Sequence, residues 1–382
     1  MNHIDYFSKK RNPLPGDVMF DALFPPKEII LAANTRVTKE VVEGILKAAK
    51  ETENVFILEM ALSEMDLNGG YCGVTPALYA KRVIESAEKV GWFGYVLHAD
   101  HITVKTGNDE EIEKVKKEID ARVDAGFSSY AIDTSFLFDT SKDNVEGHLA
   151  NVIEKYVLLF NYLKAKGLKY FGKEGEVGEI GIKEFTQVIE AVHFLDKLKE
   201  NNIELNWLAI ANGTKHGVSV DAQGKIIPQM GVNLERTVEI ADAISEKYKT
   251  RIVQHGTTGT PLDLIEKHFP RGKISKCNVG THWMLLVWDI LKVSEPGLYK
   301  RIYDWTISNY KKEGVNDAEV FAKSSKYATK QFFNEIENVS EETKKAIREK
   351  AYKDALMWFR IFGMVKTAEK VYDYIEKNKI EY

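Results

Sequence analysis

Tyr95-Val-Leu-His-Ala-Asp-His101 is an apolar run that stops abruptly on His98, Asp100 and His101. Such a run suits a strand buried on both faces, and its ending suits the edge where a parallel α/β sheet carries its chemistry. Three later stretches share the form. Tyr170-Phe-Gly-Lys-Glu-Gly-Glu176 ends on carboxylates, Leu205-Asn-Trp-Leu-Ala-Ile-Ala211 is soon followed by His216, and Arg251-Ile-Val-Gln-His255 ends on a histidine. Their spacing fits repeated strand–helix units and suggests one shared site.

Strand-like stretches fall at 29–34, 55–61, 94–100, 129–134, 170–176, 205–211, 250–255 and 273–279. Amphipathic helical stretches lie between them, among them 38–52, 75–90, 109–125, 147–166, 185–201, 234–248 and 261–269. Eight such alternations predict a (β/α)8 TIM barrel, with an open doubly wound sheet as the alternative. The barrel is expected over 29–282. Residues 1–28, with prolines at 13, 15, 25 and 26, read as an irregular lead-in, and 283–382 as a helical extension rich in Lys, Glu and aromatics. That extension is expected to close the barrel's underside and to serve as an oligomer arm.

The totals narrow the function. A chain of 382 residues with 44% hydrophobic and 29% charged residues describes an ordinary globular protein. A net charge of −4 offers no basic field for nucleic acid or acidic membranes. No apolar run approaches the ~20 residues of a membrane span, and the start lacks a signal peptide's apolar region. The 2 cysteines, Cys72 and Cys277, lie far apart without metal-type spacing, which points to a reducing cytoplasm.

If the strand ends converge on one mouth, Asp100, His101, Glu176, His216 and His255 meet there. Three imidazoles leave open positions on a zinc ion, the arrangement of a catalytic site. A single histidine is more often a surface or capping residue; it is the coincidence of strand ends that favours a metal. His98 reads as a residue of the barrel wall supporting that site. Neighbours on a regular strand face opposite ways, so Asp100 and His101 can share the site only if the strand breaks at His101. After the seventh and eighth strands, His255-Gly-Thr-Thr-Gly259 and Lys276-Cys-Asn-Val-Gly-Thr281 supply glycines and hydroxyls suited to holding a phosphate on backbone N–H groups. A metal, a free carboxylate and phosphate loops together suit carbonyl chemistry on a sugar phosphate.

These residues resemble the class II, zinc-dependent ketose-bisphosphate aldolases. The likeness runs in order through Leu97-His-Ala-Asp-His101, Glu174-Gly-Glu-Val-Gly-Glu-Ile-Gly181, Asn212-Gly-Thr-Lys-His-Gly217, Val253-Gln-His-Gly-Thr-Thr-Gly259 and Lys276-Cys-Asn-Val-Gly-Thr281. The resemblance implies His101, His216 and His255 as zinc ligands and Glu176 at an alternative metal position. It implies Asp100 as the acceptor of the C4 hydroxyl proton and Glu184 as the mobile glutamate that returns a proton. Asn278, Gly217, Gly256, Thr258, Gly259 and Thr281 would contact the substrate and its phosphate, and Asn34 is a further substrate-binding candidate. Arg360, in Met357-Trp-Phe-Arg360, would reach a neighbour's second phosphate, or else is an ordinary packed helix residue. The expected partners are then a phosphorylated ketose and further copies of the chain, in a dimer or tetramer. The expected cofactor is Zn2+ or another divalent transition metal, with a monovalent cation as an additional candidate.

The implied reaction is cleavage of a ketose 1,6-bisphosphate, fructose before tagatose, to dihydroxyacetone phosphate and glyceraldehyde 3-phosphate, as in glycolysis. Four departures bear on substrate choice: Gly-Thr-Thr-Gly for the family's usual Gly-Gly-Ser-Gly, Gly280 for an Asp or Asn, Ala61 for a phosphate-contacting Ser, and Ile182 for a loop glycine. The stretch Asn68-Gly-Gly-Tyr-Cys-Gly-Val-Thr-Pro76 resembles instead the companion subunit of tagatose-bisphosphate aldolase, credited with support rather than catalysis. A non-catalytic companion barrel and a metal-dependent sugar or uronate epimerase are therefore the alternatives.

Overall fold

The apolar runs become eight parallel strands closed into a barrel. They are β1 (Ile30–Asn34), β2 (Phe56–Ala61), β3 (Tyr95–Thr103), β4 (Ser129–Asp133), β5 (Gly172–Val177), β6 (Trp207–Ile210), β7 (Arg251–Gln254) and β8 (Ile274–Val279). The computed structural model describes residues 1–178, 185–214, 217–221 and 223–382. Closure is seen at β1, which pairs with β2 (Ala33 opposite Leu58) and with β8 (Leu31 opposite Cys277). A doubly wound sheet is thereby excluded. Residues such as Leu31, Leu58 and Leu97 are fully buried because helices cover the outside of the barrel while alternate side chains fill its inside.

The helices sit where their signals placed them. Pro76–Val90 starts at Thr75, whose Oγ1 accepts the Leu78 N–H at 3.3 Å, carries Pro76 in its first turn, and stops at Gly91 in the left-handed region.

Both ends of the chain depart from expectation in detail. The lead-in expected to be irregular holds two short helices, His3–Lys9 and Gly16–Ala22, with the prolines confined to the segments around them. Between them Leu14 N–H donates to the Tyr95 carbonyl (2.8 Å) and Ser128 Oγ donates to the Leu14 carbonyl (2.8 Å). The lead-in thus occupies polar groups around the strands' starting ends, which would otherwise need water.

The helical extension spans the barrel from top to bottom. Residues 296–337 rim the mouth, where Thr329 Oγ1 donates to the Tyr71 carbonyl (2.9 Å) and Arg82 pairs with Glu337 (2.8 Å). The helix Glu341–Ile361 then runs down the outside against Lys39–Glu51. Gly44 permits the close crossing: a Cβ there would lie 2.6 Å from the Arg348 carbonyl oxygen. At the floor, Ile29 N–H donates to the Phe362 carbonyl (3.0 Å) and Val55 N–H to Thr367 Oγ1 (2.9 Å). The last helix, Thr367–Asn378, packs on both N-terminal helices. Among the described residues no helix is long and apolar enough to cross a membrane.

Candidate active site

Asp100 and His101 come together because β3 does not run on regularly. Ala99 pairs with Tyr130 but Ile102 pairs with Ile132, so β3 carries one extra residue, and His101 takes φ +41°. This bulge turns two consecutive side chains toward one site. The strand continues to Thr103 rather than ending at Asp100, which corrects the expected boundary. A non-glycine residue in the left-handed region costs roughly 1 kcal/mol or more and persists where surrounding contacts demand it.

Those contacts are present. His101 Nδ1 lies 3.1 Å from Glu176 Oε2 and 3.3 Å from Asp133 Oδ2, and its Nε2 lies 3.3 Å from His255 Nδ1. Burial alone would depress the His101 pKa, but the carboxylates of Asp100, Glu176 and Asp133 outweigh it and hold the ring well above its ordinary value. His255 directly follows β7 and is buried. Beneath it, Gln254 Nε2 donates to the His255 carbonyl (2.8 Å), and Asn212 Nδ2 donates to Gln254 Oε1 (2.7 Å), tying the ends of β6 and β7 together.

The donors fit a divalent transition metal. Two nitrogens bound tetrahedrally at about 2.0–2.1 Å to one zinc are about 3.4 Å apart, close to the His101–His255 separation. Ligand atoms of Asp100, His101 and His255 lie within 4.8 Å of one another, as do those of His101, Asp133 and Glu176. Carboxylates on Nδ1 would orient His101 with Nε2 facing the ion. His216 and Glu184, also expected here, lie outside the described residues.

Asp100 Oδ1 accepts from Asn278 Nδ2 at 3.2 Å across the barrel. Below them sits a charged layer formed by the period-two partners of these residues: Glu59, His98, Glu174 and Lys276, all buried. Lys276 Nζ is 2.8 Å from Glu174, 3.3 Å from Glu59 and 3.2 Å from His98 Nε2. Burial works against the Lys276 charge, yet Glu174 and Glu59 hold its pKa above the usual value. Burial pushes the Glu59 carboxyl well up and raises Glu174 as well, with Lys276 opposing both shifts. Burial and Lys276 hold His98 well below its usual pKa and therefore neutral. Lysine only donates, so His98 Nε2 accepts and Nδ1–H donates to Ser129 Oγ (2.7 Å). Donor types in Glu59, His98 and Asp100 also allow a cation, but the Lys276 ammonium already supplies one there.

The expected phosphate-binding residues share one arc of the mouth. Gln229 Nε2 donates to the Gly217 carbonyl (2.9 Å) and Gln229 N–H to the Gly259 carbonyl (2.8 Å). Gly256 adopts φ +69°, which permits the tight turn Thr257–Gly259. Thr258 Oγ1 accepts the His282 N–H (3.4 Å), bringing this turn beside Thr281. Asn34 lies at the end of β1, where it accepts from Arg36 Nε (3.0 Å) and donates to Glu64. Arg360 is placed elsewhere. It lies beside the barrel's floor, largely exposed, and pairs with Glu266 of the same chain (3.0 Å).

Sequence reasoning passed over Asp133, Arg36 and, apart from His98, the layer around Lys276. Asp133 ends β4 just as His101 and Glu176 lie near the ends of their strands, so the same criterion would have found it. Arg36 stands two residues beyond β1, in a loop whose spacing carries no signal.

Solved structures share this architecture over nearly the whole chain. The fructose-bisphosphate aldolase of Campylobacter jejuni is 18% identical with TM-score 0.57, covering 94% of this chain and 97% of its own. The YdjI aldolase of Escherichia coli K12 is 16% identical with TM-score 0.57, covering 96% and 99%. The fructuronate-tagaturonate epimerase UxaE of Cohnella laeviribosi is 12% identical with TM-score 0.62, covering 97% and 84%. At these identities the likeness speaks for the fold alone. None of the curated proteins matches the chain by sequence. The profile of the class-II fructose-bisphosphate aldolases matches residues 21–354, and the chain belongs to that family, whose members are metal-dependent.

Proposed function

We propose that the protein is a metal-dependent aldolase that cleaves a ketose 1,6-bisphosphate, fructose 1,6-bisphosphate first, into two three-carbon phosphates. The observation that carries this reading is the approach of His101 and His255 to 3.3 Å beside the Asp100 carboxylate. Zinc, or another divalent metal, would be held by His101 and His255 together with His216, and would act as a Lewis acid on the substrate carbonyl. Asp100, steadied by Asn278, takes the C4 hydroxyl proton as the C3–C4 bond breaks. The bond's electrons pass to the ketone fragment as an enediolate, and Glu184 returns a proton to it. The arc of Gly217, Gly256, Thr258, Gly259 and Thr281 anchors one phosphate through backbone N–H and hydroxyl groups.

Cleavage of fructose and tagatose 1,6-bisphosphates by zinc-reconstituted protein, abolished by a chelator, is the test. No cleavage of either sugar by protein carrying one metal per chain would refute the reading. Epimerisation of a uronate is the second reading, favoured by Gly280 and Ala61 and in keeping with the activity named for the Cohnella laeviribosi structure. It predicts turnover of fructuronate without release of fragments. Metal-free, inactive protein would instead favour the companion role.

A further inference from the structure

Arg36 occupies the part of the mouth where this chain departs from its family. Gly280 has ordinary backbone angles (φ −117°, ψ −66°), so its glycine is not demanded by conformation. What it leaves is room: a Cβ on Gly280 would lie 2.4 Å from Arg36 Nη2. Arg36 therefore fills the space that an Asp or Asn side chain would take.

Its donors are only partly used. Nε donates to Asn34 Oδ1 (3.0 Å) and Nη2 lies 3.0 Å from Glu64 Oε1, while Nη1 has no acceptor among the described residues. Nor does Glu64 depend on Arg36 alone. It also accepts from the Ala61 N–H (2.8 Å), the Tyr71 hydroxyl (2.8 Å) and Asn34 Nδ2. Lys276, buried in the layer below, is spent on Glu174 and Glu59. Asp100, Asp133 and Glu176 make the same mouth acidic, so an anionic substrate needs a compensating cation with donors to spare.

We propose that Arg36 is a specificity-determining residue that binds an anionic group of the substrate, phosphate or carboxylate, on the arc between β8 and β2. The inference deepens the proposed function and rests on its placement of the substrate in this mouth. Gly280 is its necessary companion, since any side chain there would displace the guanidinium.

Titration calorimetry on zinc-loaded protein tests this without turnover. The ligands are fructose 1-phosphate, fructose 6-phosphate and fructuronate, against wild type, Arg36→Met and Gly280→Ala. Both variants should weaken one of the three ligands by about ten-fold or more, the size of a charged hydrogen bond, and the others by less than about two-fold. Loss on a phosphate ester identifies a phosphate site, and loss on fructuronate a carboxylate site. Equal losses on all three, or none on any, would overturn the proposal. Should Arg36→Met fail to fold because Glu64 is left buried without it, the pair R36M/E64Q removes both charges and must give the same selective loss. Absence of bisphosphate cleavage by wild type would count against the aldolase reading only, because these titrations do not depend on it.

Discussion

Two arcs of the mouth are built on different principles. Across β3, β4, β5 and β7, histidines and carboxylates converge within 3.1–3.3 Å around His101, with a bulge forcing the geometry. Across β8, β1 and β2, Gly280 and Ala61 stand where the resemblance implies other residues, and the Arg36 guanidinium fills the space beside Gly280. The contrast separates chemistry from recognition: one barrel can retain the reacting centre while exchanging the groups that select a substrate.

The largest effect should come from the reacting arc. Asp100→Ala removes the proposed proton acceptor and is expected to lower kcat by about 10²–10⁴-fold with metal content unchanged, measured by steady-state kinetics beside metal analysis. An unchanged kcat would dissolve the distinction between the arcs. Lys276→Met strikes the layer below both. It strands Glu174 beside Glu59 without a counter-charge and should cost about 3–5 kcal/mol in denaturant unfolding. A loss below about 1 kcal/mol would show that the layer is not charged as described.

The recognition arc should respond more mildly and more selectively. Gly280→Asp restores a family-like residue and displaces Arg36. It should shift the ratio of kcat/KM between phosphorylated and carboxylated sugars by about ten-fold, with unchanged metal content. A uniform fall for every substrate would place Gly280 with the reacting arc instead.

The floor supplies the smallest effect and a control for both arcs. Burial pushes Asp17 up to about 6, with Lys173, 3.9 Å away, opposing this incompletely. A carboxyl whose pKa is raised on folding favours the protonated form. Its contribution is full below the unfolded value of about 3.9 and is lost as pH rises toward 6. Asp17→Asn should therefore gain about 1–2 kcal/mol on wild type between pH 4 and pH 7, followed by thermal unfolding, with kcat unaffected. A constant difference across that range would contradict the assignment.

Much of this was legible in the chain, for identifiable reasons. Runs such as Ile30-Leu-Ala-Ala-Asn34 and Ile57-Leu-Glu-Met-Ala61 are apolar because both faces of a barrel strand are covered, and their alternation with amphipathic stretches gives the topology. The need for a break at His101 followed from strand geometry, although the break is a bulge inside a longer strand. Contacts between residues remote in sequence left no local trace. Arg36 meets Gly280 only because β1 closes onto β8, and Lys276 meets Glu174 and His98 only across the interior. Arg360 shows a different limit: the resemblance implies a contact with a neighbouring subunit's phosphate, and within its own chain the side chain is exposed and pairs with Glu266.

The central claim is that imidazoles from separate strand ends hold a single cation. Metal stoichiometry by mass spectrometry of reconstituted, desalted protein tests it most directly, using wild type, His101→Ala and His255→Ala. One transition-metal ion per chain in the wild type and almost none in either variant is the predicted result; equal metal in all three, or none in the wild type, would contradict it.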